Sequence, residues 1–140
     1  MKPTRLWILG GAAALLVHGV ASAAVLDECY QRTQTRVEVT PCLQAAKKAA
    51  TDEMLERVLA VEKSLADLEQ VTGRGGKVAA LKQSQRDFER YLQSHCQVVL
   101  RAYDSGTGAG QAQLACEVDL LRERAAALKP LVPETNQTRK

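Results

Sequence analysis

Apolar residues recur every three or four positions along most of this 140-residue chain. No segment of any length alternates apolar with polar residues as a half-buried strand does. The helical spacing predicts three long amphipathic helices, over about 41–71, 77–103 and 111–129. A less regular stretch before them, 27–37, predicts a short helix with Tyr30, Thr33 and Val37 on one side.

Particular residues mark the ends of these helices. Thr40 suits the N-cap of the first long helix, and Pro41 suits its first helical position. Gly73 suits a left-handed C-terminal cap. The segment 104–110, DSGTGAG, is a flexible loop with three glycines, and Pro130 should end the last helix. Short connections between long helices predict antiparallel neighbours in a small bundle.

The N-terminal end is typical of a secretory signal peptide over residues 1–23. Lys2 and Arg5 precede an apolar run, and Ala21-Ser22-Ala23 is a small-residue cleavage site. We therefore predict cleavage before Ala24. The alternative is a retained membrane anchor, but the apolar run is shorter than the roughly 20 residues that a membrane span requires.

Removal of residues 1–23 leaves 117 of the 140 residues, enough for one domain with a modest core. We predict a helical domain over 24–129 and a disordered tail over 130–140, where two prolines precede a polar end. The processed chain would hold 17 Lys and Arg against 16 Asp and Glu. A nearly neutral protein offers no general field for nucleic acid or for an anionic membrane, so neither is a predicted partner.

Four cysteines follow the predicted signal peptide, at Cys29, Cys42, Cys96 and Cys116. An even number of cysteines behind an export signal predicts two disulfides in an oxidising compartment. Cys96 precedes the 104–110 loop by about two helical turns and Cys116 follows it by one to two, so they lie at similar depth. This layout pairs Cys96 with Cys116 and Cys29 with Cys42. The predicted fold is an all-α, disulfide-stapled antiparallel bundle of three long helices and a short N-terminal helix.

Patterns for catalysis or metal binding are not found in the sequence. His95 is the only histidine after the predicted signal peptide, and it neighbours a cysteine that should be oxidised. No set of nucleophile, base and orienting group can be assembled around it. HExxH, P-loop and CxxCH motifs do not occur. We predict a protein that is not an enzyme, with no metal and no cofactor, and we interpret His95 as a partly buried residue on a helix face.

Several short motifs occur in order between and after the cysteines. A D-x-x-L pair lies on the first long helix, a glutamine and an aromatic residue precede the third cysteine, and an arginine and a leucine follow the fourth. With a glutamate before the second cysteine, the residues concerned are Glu38, Asp52, Leu55, Gln85, Phe88, Arg124 and Leu128. In this order the chain resembles the LprI-type lysozyme-inhibitor domain of bacterial envelope proteins, over about residues 28–129. The resemblance implies that these residues are structural and that the protein inhibits lysozyme.

The chain departs from the family pattern at some positions. Phe88 stands where a tryptophan is usual, and Leu92 stands where an arginine is usual, which removes a charge. If the family uses that arginine for binding, this chain has lost the contact. Phe88 is interpreted as a core anchor. Gln85 is expected to hydrogen-bond another helix or a loop backbone, and Arg124 to pair with Asp52 or with a backbone carbonyl.

Charge is unevenly distributed along the first two long helices. Residues 52–69 carry a net charge of −4 and residues 74–101 a net charge of +4. Attraction between neighbouring helices, together with ordinary solvated faces, explains most such runs. Asp52, Glu56 and Asp67 share one helix face and are the candidate partner-binding residues, because many lysozymes are strongly basic. The 104–110 loop has no basic residue to meet the carboxylates of a lysozyme cleft, and we interpret it as a connector.

These observations lead to two functional hypotheses. The first is an exported protein-binding protein that resembles lysozyme inhibitors and acts by non-covalent occlusion, with lysozyme as the implied partner. The alternative is a periplasmic interaction or structural module of the cell envelope with a different partner. Both predict a periplasmic or secreted protein with no integral membrane anchor after cleavage. A lysis assay with an excess of the protein distinguishes between the two.

Overall fold

The computed structural model describes residues 24–103, 106 and 108–132. This part of the chain forms four α-helices, a short 3-10 turn and no strand, which confirms the predicted all-α fold. The elements are α1 (Ala24–Arg32), α2 (Arg36–Thr72), α3 (Lys77–Ala102), α4 (Ala109–Leu128) and the 3-10 turn (Lys129–Leu131). The predicted signal peptide, three residues of the 104–110 loop and the tail from 133 onward lie outside the described residues.

The start of α2 differs from the prediction. The helix begins at Arg36, with Thr35 as an extended N-cap residue, and the carboxylate of Glu38 accepts hydrogen bonds from the backbone N–H groups of Gln34 (2.9 Å) and Thr35 (3.2 Å). This capping box provides an acceptor for the backbone N–H groups of Gln34 and Thr35, which a proline at the first helical position does not provide. Pro41 therefore lies inside the helix, and the interpretation of Thr40 and Pro41 as its start is wrong.

The same difference shortens the first helix. α1 ends at Arg32, and a hydrogen bond from the backbone N–H of Thr33 to the carbonyl oxygen of Cys29 (3.1 Å) closes its last turn. Val37 belongs to the first turn of α2 and is 83% exposed, so its predicted place in the short helix, on one side with Tyr30 and Thr33, is wrong.

A glycine turn reverses the chain between α2 and α3. Gly73 has a φ of 66° and donates its backbone N–H to the carbonyl oxygen of Glu69 at 2.9 Å, which confirms the predicted left-handed cap. The carboxylate of Glu69 also accepts hydrogen bonds from the backbone N–H groups of Lys77 and Val78. Glu69 thus joins the end of one helix to the start of the next, and its negative charge suits the N-terminal end of α3.

α4 is the central helix of the bundle, because the two most extensive helix interfaces are those of α4 with α2 and with α3, whereas α2 and α3 contact each other less extensively. Its inner surface combines alanines, which allow close approach, with larger apolar side chains. The buried apolar residues of α4 are Ala109, Ala112, Ala115, Val118, Leu121, Ala125 and Leu128. The larger part of the core joins α4 to α1 and α2, and a smaller cluster of Val61, Leu81 and Leu128 lies apart from it.

Two disulfides fasten this arrangement. Cys29 of α1 is bonded to Cys42 of α2, and Cys96 of α3 is bonded to Cys116 of α4, with Cα atoms 5.8 and 5.7 Å apart. The predicted pairing is confirmed. Each bond ties together two helices that are consecutive along the chain.

The C-terminal end of the described chain is ordered slightly beyond α4. Pro130 lies within the 3-10 turn, and Val132 packs against the smaller core cluster. Among the described residues, no helix is long and apolar enough to cross a membrane.

Candidate functional site

Three residues of the family-type motifs meet between α3 and α4. Arg124 donates its Nε–H to Oε1 of Gln85 (3.3 Å) and an Nη2 hydrogen to Oγ of Ser84 (3.1 Å). Its guanidinium carbon lies 5.4 Å from the centroid of the Phe88 ring, within the range of a cation–π interaction. Gln85 is buried and also points Nε2 at Sδ of Met54 on α2, at 3.2 Å. The cluster therefore links three helices, as expected for a structural role.

This arrangement corrects the predicted partner of Arg124. Asp52 is exposed, and its carboxylate instead forms an ion pair with Lys48 at 2.6 Å. Arg124 uses side-chain oxygens of α3 rather than Asp52 or a backbone carbonyl.

Two further motif residues also act within the fold. Leu128 is 2% exposed and belongs to the smaller core cluster. Glu38 holds the N-terminal end of α2 through the capping box, and its hydrogen bonds with the backbone N–H groups of Gln34 and Thr35 lower the pKa of its carboxyl group.

Asp52 and Leu55 behave differently, because both face solvent. Leu55 is 47% exposed and Leu59, one turn further on, is 67% exposed. With Asp52 and Glu56 they form a continuous surface on the middle of α2, which we call the α2 patch: Asp52, Leu55, Glu56 and Leu59. The structure does not support an internal structural role for Asp52 or Leu55. The apolar and acidic members of the α2 patch are available to another molecule.

Three of the six acidic residues in 52–69 form ion pairs within the protein. Asp52 and Asp67 each pair with a lysine one turn earlier, Lys48 and Lys63, and the Asp67 interaction raises the pKa of Lys63. Glu62 pairs with Lys82 of α3 at 2.9 Å, the ion pair across the α2–α3 hairpin that the charge pattern predicts.

Among the predicted binding residues, the structure therefore leaves one carboxylate uncompensated. Glu56 forms no ion pair with any described residue, while Asp52 and Asp67 share their charge with neighbouring lysines on the same face. Exposed i, i+4 pairs contribute only about 0.3–0.5 kcal/mol, so a basic partner can compete with the lysines for these carboxylates.

His95 lies on the surface of α3. It is exposed, and its ring stacks on that of Tyr91 with 5.2 Å between the centroids, so the prediction of a partly buried histidine is wrong. Within the described residues, no cluster of three or more His, Cys, Asp or Glu residues is arranged to hold a metal ion.

A groove between α1, α3 and α4 contains a feature that the sequence interpretation missed. It has a volume of about 290 Å³ and is lined by apolar residues together with His95, Asp119 and Glu123. Asp119 is only 9% exposed, and burial raises the pKa of its carboxyl group. The spacing offered a clue, because Asp119 follows Ala112 and Ala115 on the apolar side of α4.

Comparison with known proteins gives one result. A family model described as lysozyme inhibitor LprI matches residues 27–128, which include both disulfides and nearly all of the four helices. No curated protein and no solved structure matches the chain.

Proposed function

The chain belongs to the LprI family of lysozyme inhibitors, and we propose that its processed form binds lysozyme through the α2 patch and inhibits it by non-covalent occlusion. Residues 1–23 would be removed during export, and the protein would act in the periplasm or outside the cell. No covalent step is part of this mechanism. The target enzyme is blocked because a rigid helical body covers its substrate-binding surface.

The exposure of Asp52 and Leu55 is the observation that carries the choice of surface. Other residues of the family-type motifs, namely Glu38, Gln85, Arg124 and Leu128, have clear partners inside the fold. Asp52 and Leu55 have no comparable internal role, because both lie on the solvent side of α2. The fold does not need Asp52 or Leu55, and both lie next to Leu59, which is 67% exposed. This pair is therefore well placed for binding.

The composition of the α2 patch fits a basic protein partner. Leu55 and Leu59 supply apolar area for the centre of an interface, and Asp52 and Glu56 supply negative charge at its edge. The processed chain has a net charge close to zero, so attraction to a basic enzyme arises locally from these carboxylates. We therefore expect a moderate association rate that falls as the salt concentration rises.

The rigidity of α2 supports the same proposal. The helix has 37 residues, and it is fixed at one end by the capping box and at the other by the Gly73 and Glu69 contacts. Cys42 joins it to α1 on its N-terminal side. Little conformational freedom would be lost when the α2 patch is covered, and low ordering cost favours affinity.

Matched leucine and valine variants test the surface. Leu59 is 67% exposed on α2 and Val98 is 65% exposed on α3, so the two can be compared directly. Binding of a basic lysozyme to the immobilised, exported protein should show about tenfold faster dissociation for Leu59→Ser, since that factor corresponds to about 1.4 kcal/mol of lost apolar contact. Val98→Ser should dissociate as the parent does.

Two outcomes of this experiment would count against the proposal. Equal dissociation rates for both variants and the parent would exclude the α2 patch as the interface. Absence of binding to any lysozyme would remove the inhibitor function and leave the envelope module with another partner.

A further inference from the structure

Asp119 of α4 is the only charged side chain in the buried part of the described structure. Its residue is 9% exposed, and Oδ2 has no hydrogen-bond partner among the described residues. A buried carboxylate without a full set of partners is costly. The other buried residues of α4 are alanine, valine and leucine, so a buried aspartate at this position requires a physical explanation.

The position of Asp119 supplies that explanation. Asp119 lines a groove together with Leu26 of the first turn of α1, and the backbone N–H of Val25 acts to lower the pKa of its carboxyl group. Val25 is fully buried. The backbone nitrogen of Ala24 is one residue away from that of Val25, a separation of about 3 Å in an α-helix. Ala24 itself is exposed.

We propose that Asp119 receives the α-amino group that cleavage before Ala24 creates. Hydrolysis of the Ala23–Ala24 peptide bond by a signal peptidase consumes one water, which leaves a carboxylate on Ala23 and an ammonium on Ala24. One N–H donor is thereby replaced by a cation with three donors, in the turn of α1 whose Leu26 lines the same groove as Asp119. The inference rests on the predicted cleavage and does not depend on which partner the protein binds.

Electrostatics favour this pairing. A positive charge on the first residue of a helix opposes the helix dipole, and a nearby carboxylate offsets that effect. Burial raises the pKa of Asp119, with the backbone N–H of Val25 acting in the opposite direction. An adjacent ammonium would favour the ionised carboxylate further. Because Ala24 is exposed, the ammonium keeps part of its hydration, so its desolvation cost is smaller than that of a fully buried pair.

The other charged groups near Asp119 do not replace the ammonium. Arg122 favours its ionised form, but the guanidinium of Arg122 donates both of its terminal N–H groups to Glu28 of α1, each at 3.2 Å. Glu123 and Glu28 are negative and oppose ionisation of Asp119. His95 also lines the groove, from α3.

Cleavage before Ala24 and the final docking of α1 against α4 are therefore coupled. Cys29–Cys42 and the contact between Glu28 and Arg122 already hold the later part of α1. The new ammonium would fix its first turn, which only the cleaved chain can do. The intact precursor carries a neutral amide at the same place.

A two-by-two comparison tests this inference on the exported chain. The parent is compared with a version in which Gly-Ser is inserted between Ala23 and Ala24, which moves the ammonium away, and each is made with and without Asp119→Asn. Intact mass establishes the N-terminus of every sample. The insertion should lower the melting temperature by about 4 °C when Asp119 is present and by much less in the Asp119→Asn background. Glu53→Gln, which removes an exposed carboxylate from α2, is the control and should preserve the effect of the insertion.

The pH dependence provides a second readout. The ordinary pKa of an α-amino group is about 7.7–8.0, and pairing with Asp119 raises the pKa in the folded protein. The stabilisation is therefore complete from the pH at which Asp119 is ionised up to about pH 7.7, and it is lost as the pH rises through the folded pKa of the amine. NMR titration of the Ala24 amine should give a raised pKa that Asp119→Asn returns to the ordinary range. An equal effect of the insertion in both backgrounds, an unshifted amine, or a mature N-terminus other than Ala24 would overturn the inference.

Discussion

Arg124 of α4 donates its Nε–H to the side-chain carbonyl of Gln85 on α3, at 3.3 Å, and its guanidinium lies over the ring of Phe88. Gln85 is buried and also reaches Met54 of α2. The hydrogen bond between Arg124 and Gln85 therefore connects a side chain of α4 to a buried polar side chain of α3.

Replacement of Arg124 by alanine should therefore destabilise the protein. It removes the hydrogen bonds to Gln85 and Ser84 and leaves the buried Gln85 carbonyl without its donor, a loss of about 1–2 kcal/mol. Urea denaturation should show a lower midpoint with an unchanged slope. Arg86→Ala is the matched control, because Arg86 is exposed and contacts only Gln83 of its own helix, so its effect should stay within about 0.5 kcal/mol. Equal effects of the two variants would contradict the structural role of Arg124.

Each disulfide should make its own contribution to stability. Cys96–Cys116 has a sequence separation of 20 residues and Cys29–Cys42 one of 13, and on the chain-entropy model each bond adds about 3 kcal/mol. Paired Cys→Ser variants of either bond should melt well below the parent under oxidising conditions. The pair Cys96→Ser with Cys116→Ser should lose slightly more, since its loop is longer. Unchanged melting after removal of either bond would contradict the view that the disulfides brace the bundle.

Glu38 should give α2 a stability that depends on pH. Hydrogen bonds with the backbone N–H groups of Gln34 and Thr35 lower the pKa of this carboxyl group in the folded protein. Its contribution is thus complete above the unfolded pKa, about 4.3, and is lost as the pH falls through the lower folded pKa.

Melting curves of parent and Glu38→Gln across pH 2 to 7 measure this effect. The variant should melt below the parent at pH 7, and the difference should shrink as the pH falls below about 4. Glu53→Gln, also exposed on α2, is the control and should follow the parent throughout. A difference between parent and Glu38→Gln that does not change with pH would show that the charge of Glu38 is not what holds the capping box.

Charge reversal in the α2 patch should act on association with lysozyme. Asp52→Lys together with Glu56→Lys replaces two negative charges by two positive ones, and a basic partner should then associate at least tenfold more slowly at low salt. Asp27→Lys together with Asp87→Lys makes the same change in net charge on α1 and α3, away from the patch. Stopped-flow or biosensor kinetics should show a much smaller effect for this control. Equal slowing by both pairs would mean that only overall charge matters.

The sequence predicted the fold well wherever one strong local pattern was decisive. The apolar stripes of α3 and α4, the cap at Gly73 and the depth of Cys96 and Cys116 all led to the observed arrangement. The start of α2 was misjudged because two starting patterns compete within six residues. Thr35 and Glu38 form the S/T-x-x-E capping box, and its hydrogen bonds prevail over the preference of Pro41 for the first turn.

The candidate site could be predicted only in part, since it depends on how helices are oriented against one another. The helical spacing predicts that Asp52, Glu56 and Asp67 share one face, but the exposure of Leu55 and Leu59 follows from where α3 and α4 pack on α2. The partners of Arg124 likewise depend on the register between α3 and α4. The place of Asp119 beside the first turn of α1 involves residues 94 or more positions apart, and periodicity along one helix carries no such information.

Inhibition of lysozyme-catalysed lysis of peptidoglycan, measured against increasing amounts of the processed, oxidised protein, tests the central proposal most directly. We predict that activity falls in proportion to added protein and approaches zero near one equivalent when the enzyme concentration exceeds the dissociation constant, and that reduction of the two disulfides abolishes the effect. Full lytic activity of several basic lysozymes in the presence of a large molar excess of the oxidised protein would contradict the account.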